Sequence, residues 1–333
     1  MFEGSVGVIG GGAWGLALAA TCARAGTPVS IHSRRALSGA LPRGVTQARD
    51  LAETASARLI VFAVPSTVAR EVARTLGDHV DGRHYVVHGV RGLAGDVELT
   101  TISEILREET PVRRLGALGG PALPDDLAAG RPSVMVCGSM YPEVNEALRQ
   151  AFVTEKAAST GAPIVSKHGK SPSLRLYATD DLRGLEWASA LVGCLAIGVG
   201  YAQAIGLGAG LVAALISRGV QEAGRLASAA GGEERTLLGL AGYGDLLASV
   251  EQRERPEVAL GAKLARGLSL GDALREVKLR VEAVELMPRV LAWAERQGVS
   301  VPIFQTLANG VLTSRKSDEM IRELMTHPME DRG

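Results

Sequence analysis

Gly10, Gly12 and Gly15 follow the apolar run Val6-Gly-Val-Ile9 and open the stretch Ala-Trp-Gly-Leu-Ala-Leu-Ala-Ala. Glycines at this spacing do mechanical work at a phosphate. The first permits a tight turn, the second lets backbone approach a pyrophosphate, and the third lets a helix pack on a strand. The helix that begins at Ala13 and Trp14 would then offer free N–H groups and a partial positive charge to the phosphates. A glycine-rich turn without a ligand is the alternative. A second apolar strand, Thr27-Pro-Val-Ser-Ile, follows at the distance expected of a strand–helix–strand unit and argues for a dinucleotide.

The end of that second strand reports on the cofactor. A carboxylate there holds the ribose hydroxyls of NAD, whereas arginine holds the 2′-phosphate of NADP. This chain has His32-Ser33-Arg34-Arg35 and no acid, so NADP is favoured over NAD, with Ser33, Arg34 and Arg35 as candidate contacts. Solvent-facing arginines are the plain alternative.

Elements that would position such a site recur along the first half. Ala57-Arg-Leu-Ile-Val-Phe-Ala-Val64-Pro65-Ser66, His84-Tyr-Val-Val-His88-Gly-Val-Arg91, Arg114-Leu-Gly-Ala-Leu-Gly-Gly120 and Ser133-Val-Met-Val-Cys read as short buried strands alternating with helical stretches. That alternation predicts a parallel sheet covered on both faces. The loops at Val64 to Ser66, Gly89 to Gly92 and Gly119 to Pro124 would face a ligand crevice. His79, His84 and His88 straddle a turn and a strand, and their spacing suggests no metal site.

From about Asp181 the strand pattern gives way to helices punctuated by glycine. One of them, Arg235 to Val250, reads as continuous. Ala188 to Ser217 holds 30 residues without a charge or histidine, long enough to span a bilayer. Breaks at Gly206, Gly208 and Gly210 favour two buried helices. The fold class expected is therefore α/β, an N-terminal Rossmann domain over residues 1–180 followed by an all-helical domain over 181–333. A polar stretch at 153–173 reads as an inserted surface loop or hairpin.

Composition excludes several partners. The 333 residues carry 36 basic and 36 acidic side chains with no long like-charge block, which argues against nucleic acid and anionic membranes. Cys22, Cys137 and Cys194 form no CxxC pair and read as apolar fillers in a reducing, cytoplasmic setting. Of the basic residues only six are lysines, namely Lys156, Lys167, Lys170, Lys263, Lys278 and Lys316.

The order of these pieces resembles bacterial NAD(P)-dependent glycerol-3-phosphate dehydrogenase. The matching marks include GVIGGGAWGLALA, IVFAVPS, VRGL, GGPALPDDLAAG, LYATDDLRGLEWASALVGCLAIG, AGYGDLLAS and VEAVELMPRVLAWAERQGVSVPI. The resemblance implies a Rossmann domain with a helical substrate domain, a small-molecule substrate, a homodimer and no membrane span. It also implies hydride exchange between glycerol 3-phosphate and dihydroxyacetone phosphate. It points to Arg91, Asp245 and Ser249 as catalytic residues, and to Gly120, Arg253 and Arg255 as substrate contacts. Gly10, Gly12, Ala13, Trp14, Gly15, Val64, Pro65 and Glu282 would contact the cofactor.

The same resemblance marks a departure. Hydride addition to a ketone creates an alkoxide that needs an acid or cation within reach. The family places a proton-donating lysine and an asparagine where this chain has Val192 and Gly193. Asp125 and Asp126 replace a Lys-Glu pair, and the family's phosphate-binding arginine motif has no clean counterpart, with Arg253 and Arg255 as nearby candidates. Replacement cations would have to be Arg91 or one of Lys167, Lys170, Lys263 and Lys278. A reductase of a less anionic carbonyl compound, or a non-catalytic dinucleotide-binding protein, are the competing readings.

Overall fold

The computed structural model describes residues 4–37, 39–95, 98–153 and 174–313. The polar stretch predicted at 153–173 falls outside the described residues apart from Val153, as do Lys156, Lys167, Lys170 and Lys316. Two compact units are present, one of Met1–Ala94 with Thr100–Glu186, the other of Gly95–Leu99 with Trp187–Gly333.

The first unit is built on an eight-stranded sheet in the order β3-β2-β1-β4-β5-β6-β7-β8. Its strands are β1 (Val6–Ile9), β2 (Val29–His32), β3 (Val45–Gln47), β4 (Leu59–Phe62), β5 (Tyr85–His88), β6 (Arg114–Gly119), β7 (Ser133–Gly138) and β8 (Leu174–Thr179). β1, β4 and β5 are buried along their whole length, as continuous apolar runs require when helices cover both faces. The helices are α1 (Ala13–Arg24), α2 (Leu51–Ala55), α3 (Ala69–Gly77), α4 (Ile102–Glu109), α5 (Pro124–Ala129) and α6 (Pro142–Phe152).

The expected parallel sheet needs one correction. β6 and β7 run antiparallel, with Ala117 opposite Gly138 and Gly119 opposite Val136. β7 and β8 are again parallel. Helix α5 joins β6 to β7 with six residues. β3 and β8, unforeseen in the sequence, extend the sheet at its two ends.

The second unit is helical among its described residues, and the family of helices begins with α7 (Leu182–Ala204), whose first residues belong to the first unit. It continues through α8 (Ala209–Ala229), α9 (Glu234–Leu238), α10 (Asp245–Ala248), α11 (Pro256–Ala265), α12 (Leu270–Val277), α13 (Glu282–Gln297) and α14 (Pro302–Thr313). The uncharged stretch is split as foreseen, with Gly206 in a left-handed turn at φ 76° between α7 and α8. The apolar window of α7 is 94% buried inside the protein, so the helix is core. The continuous helix expected over Arg235 to Val250 is broken instead. A π-turn at Leu240–Gly244 separates α9 from α10, and a Cβ at Gly242 would lie 2.2 Å from the Leu237 carbonyl oxygen. Wide backbone turns of this kind recur at functional sites.

Candidate functional site

In the first unit the turn after β1 has the geometry of a phosphate cradle. Gly10 sits at φ 119°, and a Cβ there would come within 2.2 Å of the Ala63 carbonyl oxygen, just before Val64 and Pro65. A Cβ at Gly15 would be 1.9 Å from the Gly10 carbonyl oxygen, so α1 presses its backbone onto the turn. Gly12 differs from both. Its Cβ would meet no atom within 4 Å, and as the N-cap of α1 it provides no side-chain acceptor. Open space thus lies at the uncapped N-terminus of a twelve-residue helix, where N–H groups and the helix dipole favour an anion. Ala13 is exposed there, and the buried indole Nε1 of Trp14 has no hydrogen-bond partner.

Gly11 was not singled out by motif spacing. A Cβ there would be 2.3 Å from Leu37 Cδ2 and 2.6 Å from Ser33 Cβ, so this glycine lets the end of β2 lie against the turn. Ser33 is half-buried at that contact, while Arg34 and Arg35 are exposed. No acid occupies the end of β2. These residues fit a dinucleotide: Gly12 leaves room at the helix terminus, and the β2 end presents guanidinium groups.

Arg91 follows β5 and donates through Nη2 to the Gly120 carbonyl oxygen at 2.6 Å, in a loop where Gly120 adopts φ 92°. The loop is tied from behind by a buried network that no sequence motif announces. Glu186 accepts from His88 Nε2 at 2.8 Å, from the Ser103 amide at 2.8 Å and from Ser103 Oγ at 2.6 Å. His88 Nδ1 in turn accepts from the Val90 amide at 3.3 Å, which assigns its proton to Nε2. His84 is occupied elsewhere, with Asp81 and the Ala55 carbonyl.

In the second unit, Asp245 begins α10 immediately after the π-turn and is fully buried, as is Ser249 one turn later. Arg255, 3% exposed, donates through Nη1 to Asp245 Oδ1 at 2.6 Å and to Ser249 Oγ at 2.9 Å. Its Nε donates to Glu257 Oε2 at 3.2 Å, whereas its buried Nη2 has no partner. Burial opposes the guanidinium charge, but Asp245 and Glu257 outweigh it and hold Arg255 above its ordinary pKa. Of the two arginines left ambiguous by the sequence, Arg255 therefore joins Asp245 and Ser249, and Arg253 is exposed. Glu282 opens α13 with its carboxylate 3.9 Å from Arg280.

Val192 and Gly193 lie on α7, Val192 fully buried. A side chain growing from Gly193 would meet Ala283 Cβ at 3.6 Å and Glu257 Oε1 at 3.8 Å. Lys263 Nζ is 2.6 Å from Glu276, and Lys278 is exposed at the left-handed end of α12. The thiols are poor nucleophiles, since burial raises Cys22 and pushes Cys137 to about 11 and Cys194 to about 12. Among the described residues no His, Cys, Asp and Glu group is arranged to hold a metal.

Family models described as the NAD-dependent glycerol-3-phosphate dehydrogenase N-terminus and C-terminus match residues 34–145 and 181–322. The chain belongs to this family. A glycerol-3-phosphate dehydrogenase (NAD(P)+) of Gluconobacter oxydans is 34% identical over 333 residues, 96% of either chain. One from Maricaulis maris is 30% identical over 341 residues, 97% of either chain. The crystal structure of glycerol-3-phosphate dehydrogenase from Coxiella burnetii superposes with a TM-score of 0.84 at 25% identity, covering 98% of this chain and 100% of that one.

Proposed function

We propose that this protein is an NAD(P)-dependent oxidoreductase that interconverts glycerol 3-phosphate and dihydroxyacetone phosphate. The observation that carries the reading is the intact cradle at Gly10, Gly12 and Gly15 together with a buried Asp245–Ser249–Arg255 cluster in a chain of this family. The dinucleotide, when bound, supplies the hydride acceptor or donor. Gly12, Ala13 and Trp14 would hold its pyrophosphate, and Val64 and Pro65 would line the same crevice.

The chain's own residues do the rest. Arg34 and Arg35 favour NADP because a 2′-phosphate gains charge-assisted hydrogen bonds from guanidinium groups. Arg91, held on the Gly120 carbonyl, stabilises negative charge developing on the substrate oxygen. Asp245 and Ser249 fix Arg255. Arg253, exposed, is the candidate for the substrate phosphate. We assign residues 1–180 to the dinucleotide domain and 181–333 to the substrate domain.

A second reading is favoured by Val192 and Gly193, which remove two polar side chains from α7: reduction of a less anionic carbonyl compound. The test is oxidation of NADPH and NADH with dihydroxyacetone phosphate, beside direct measurement of cofactor binding. Turnover with dihydroxyacetone phosphate is the expected result. Tight NADPH binding without turnover, followed by activity on an uncharged hydroxyketone, would move the assignment to the second reading.

A further inference from the structure

The loop that follows β5 is set by a buried network within the first unit. Val90 donates its amide to His88 Nδ1 at 3.3 Å, so the imidazole accepts there and carries its proton on Nε2. That Nε2 donates to Glu186 Oε1 at 2.8 Å, between side chains only 1% and 2% exposed. Glu186 also accepts from the Ser103 amide at 2.8 Å and from Ser103 Oγ at 2.6 Å. Ser103 is itself fixed, because Thr101 and Glu104 close a capping box around the first turn of α4. His88, Ser103 and Glu186 all belong to the first unit. The ring is thus gripped from both sides, by a carboxylate on one nitrogen and by loop backbone on the other.

What that loop faces follows from the order of the strands. β1 lies between β2 and β4, and a dinucleotide binds across the crevice where the order reverses. The adenosine ribose belongs at the end of β2 and the pyrophosphate at the N-terminus of α1. The nicotinamide half would then extend toward the ends of β4 and β5. One contact ties the β5 loop to the cradle. A Cβ at Gly89 would lie 2.5 Å from Trp14 Nε1, so the indole in the first turn of α1 lies against the backbone just after His88. Displacing Gly89 and Val90 would move the surface on which that indole rests.

We propose that His88, held by Glu186, is a cofactor-positioning residue that sets the Gly89–Val90 backbone for the nicotinamide half of the dinucleotide. The inference rests on the cofactor part of the reading above and not on which carbonyl compound is the substrate. The two ring nitrogens have separable duties. Nδ1 fixes the loop, and Nε2 satisfies a buried carboxylate. Two substitutions divide them. The carboxamide oxygen of asparagine takes the place of Nδ1 and keeps an acceptor for the Val90 amide. The longer glutamine puts its amide nitrogen where Nε2 stands and keeps a donor for Glu186, but leaves Val90 without an acceptor.

The experiment compares wild type, His88→Gln and His88→Asn by thermal melting and calorimetric titration. The ligands are NADPH beside 2′,5′-ADP and NADH beside ADP, each pair a whole cofactor and its adenosine half. Each variant leaves one buried group short of a partner, Val90 N–H in glutamine and Glu186 in asparagine, so both should melt below wild type. Only glutamine should lose the cofactor. The Kd of the preferred cofactor should rise roughly 10-fold in His88→Gln, while that of its adenosine half stays within about threefold. In His88→Asn both values should stay within about threefold of wild type. Unchanged cofactor binding in His88→Gln, or an equal loss for the adenosine half, would overturn the inference. So would a folded His88→Asn that binds the cofactor as poorly as His88→Gln. If asparagine does not fold, the two ligands on glutamine decide alone. Wild type that binds neither NADPH nor NADH would overturn the cofactor reading and this inference with it.

Discussion

Arg255 and Asp245 form a buried ion pair, Nη1 to Oδ1 at 2.6 Å, with side chains 3% and 0% exposed. Desolvating two charges offsets most of their attraction, so such a pair adds little net stability while it is whole. Breaking it is another matter. Arg255→Met leaves Asp245 charged and buried, and Glu257 loses its donor as well. We expect a loss of about 3–5 kcal/mol in urea unfolding. The double variant Asp245→Asn/Arg255→Met should lose clearly less than the sum of the two single changes. Additive losses would show that the pair is not coupled.

Gly10 and Gly12 should separate folding from binding. Gly10→Ala must accept φ 119° and a methyl group 2.2 Å from the Ala63 carbonyl oxygen. A loss of at least about 2 kcal/mol of stability is expected from strain of that kind. Gly12→Val projects into open space and should unfold near the wild-type temperature. Its methyl groups fill the position a pyrophosphate needs, so the NADPH Kd should rise at least about 30-fold, or roughly 2 kcal/mol. Thermal melts and cofactor titrations of the two variants measure both quantities, and equal loss of binding and folding in both would refute the distinction.

These glycines also show what a sequence reveals. Turn, helix terminus and first strand pair were legible because each depends on a few neighbouring residues. β3 was not, since its three residues pair with β2 while two of them face solvent. The reversal of β7 was equally hidden, because direction in a sheet is decided by a connection and not by the strand's own composition. The π-turn at Leu240–Gly244 reads as helix in any apolar periodicity. At the candidate site, Asp245 and Ser249 were named through the resemblance, which says nothing of their burial beside Arg255. The choice of Arg255 over Arg253 was not legible, because burial depends on how the segment before α11 packs. Nor was the bond between His88 and Glu186, which joins residues 98 apart in the chain and emerges only when the start of α7 meets the end of β5.

Arg34 and Arg35 bear on the choice of cofactor. Both are exposed, and no carboxylate stands at the end of β2 to hold ribose hydroxyls. If they hold a 2′-phosphate, as proposed, replacing both with alanine should remove contacts that NADH does not make. The NADPH Kd should rise roughly 10- to 100-fold, the value of one or two charge-assisted hydrogen bonds. The NADH Kd should remain within about threefold. Rising salt should weaken NADPH binding in wild type more than in the double variant. Parallel loss of both cofactors would place the arginines on the shared phosphates or in the fold instead.

Glu222 makes stability depend on pH. It is 3% exposed on α8 and accepts from the amides of Ile303 and Phe304 at 2.8 to 3.1 Å, at the N-terminus of α14. Burial pushes its carboxyl up from 4.5 to about 7, against the opposing pull of those two amides. A carboxyl whose folded pKa lies above its unfolded one favours the fold while protonated. Its contribution is fully present below about pH 4.5 and is lost as pH rises through 7. A tenfold difference in proton affinity between the folded and unfolded chain corresponds to roughly 1.4 kcal/mol. Unfolding free energy should therefore fall by up to about 3 kcal/mol from this group between pH 5 and pH 8. Glu222→Gln keeps an acceptor for one amide and cannot ionise, so its urea midpoint should vary less over the same range. The curves of wild type and variant should converge at low pH and separate at high pH, with glutamine the more stable above pH 7. A wild-type midpoint that rises from pH 5 to 8 relative to glutamine would show that the amides, and not burial, dominate the carboxylate.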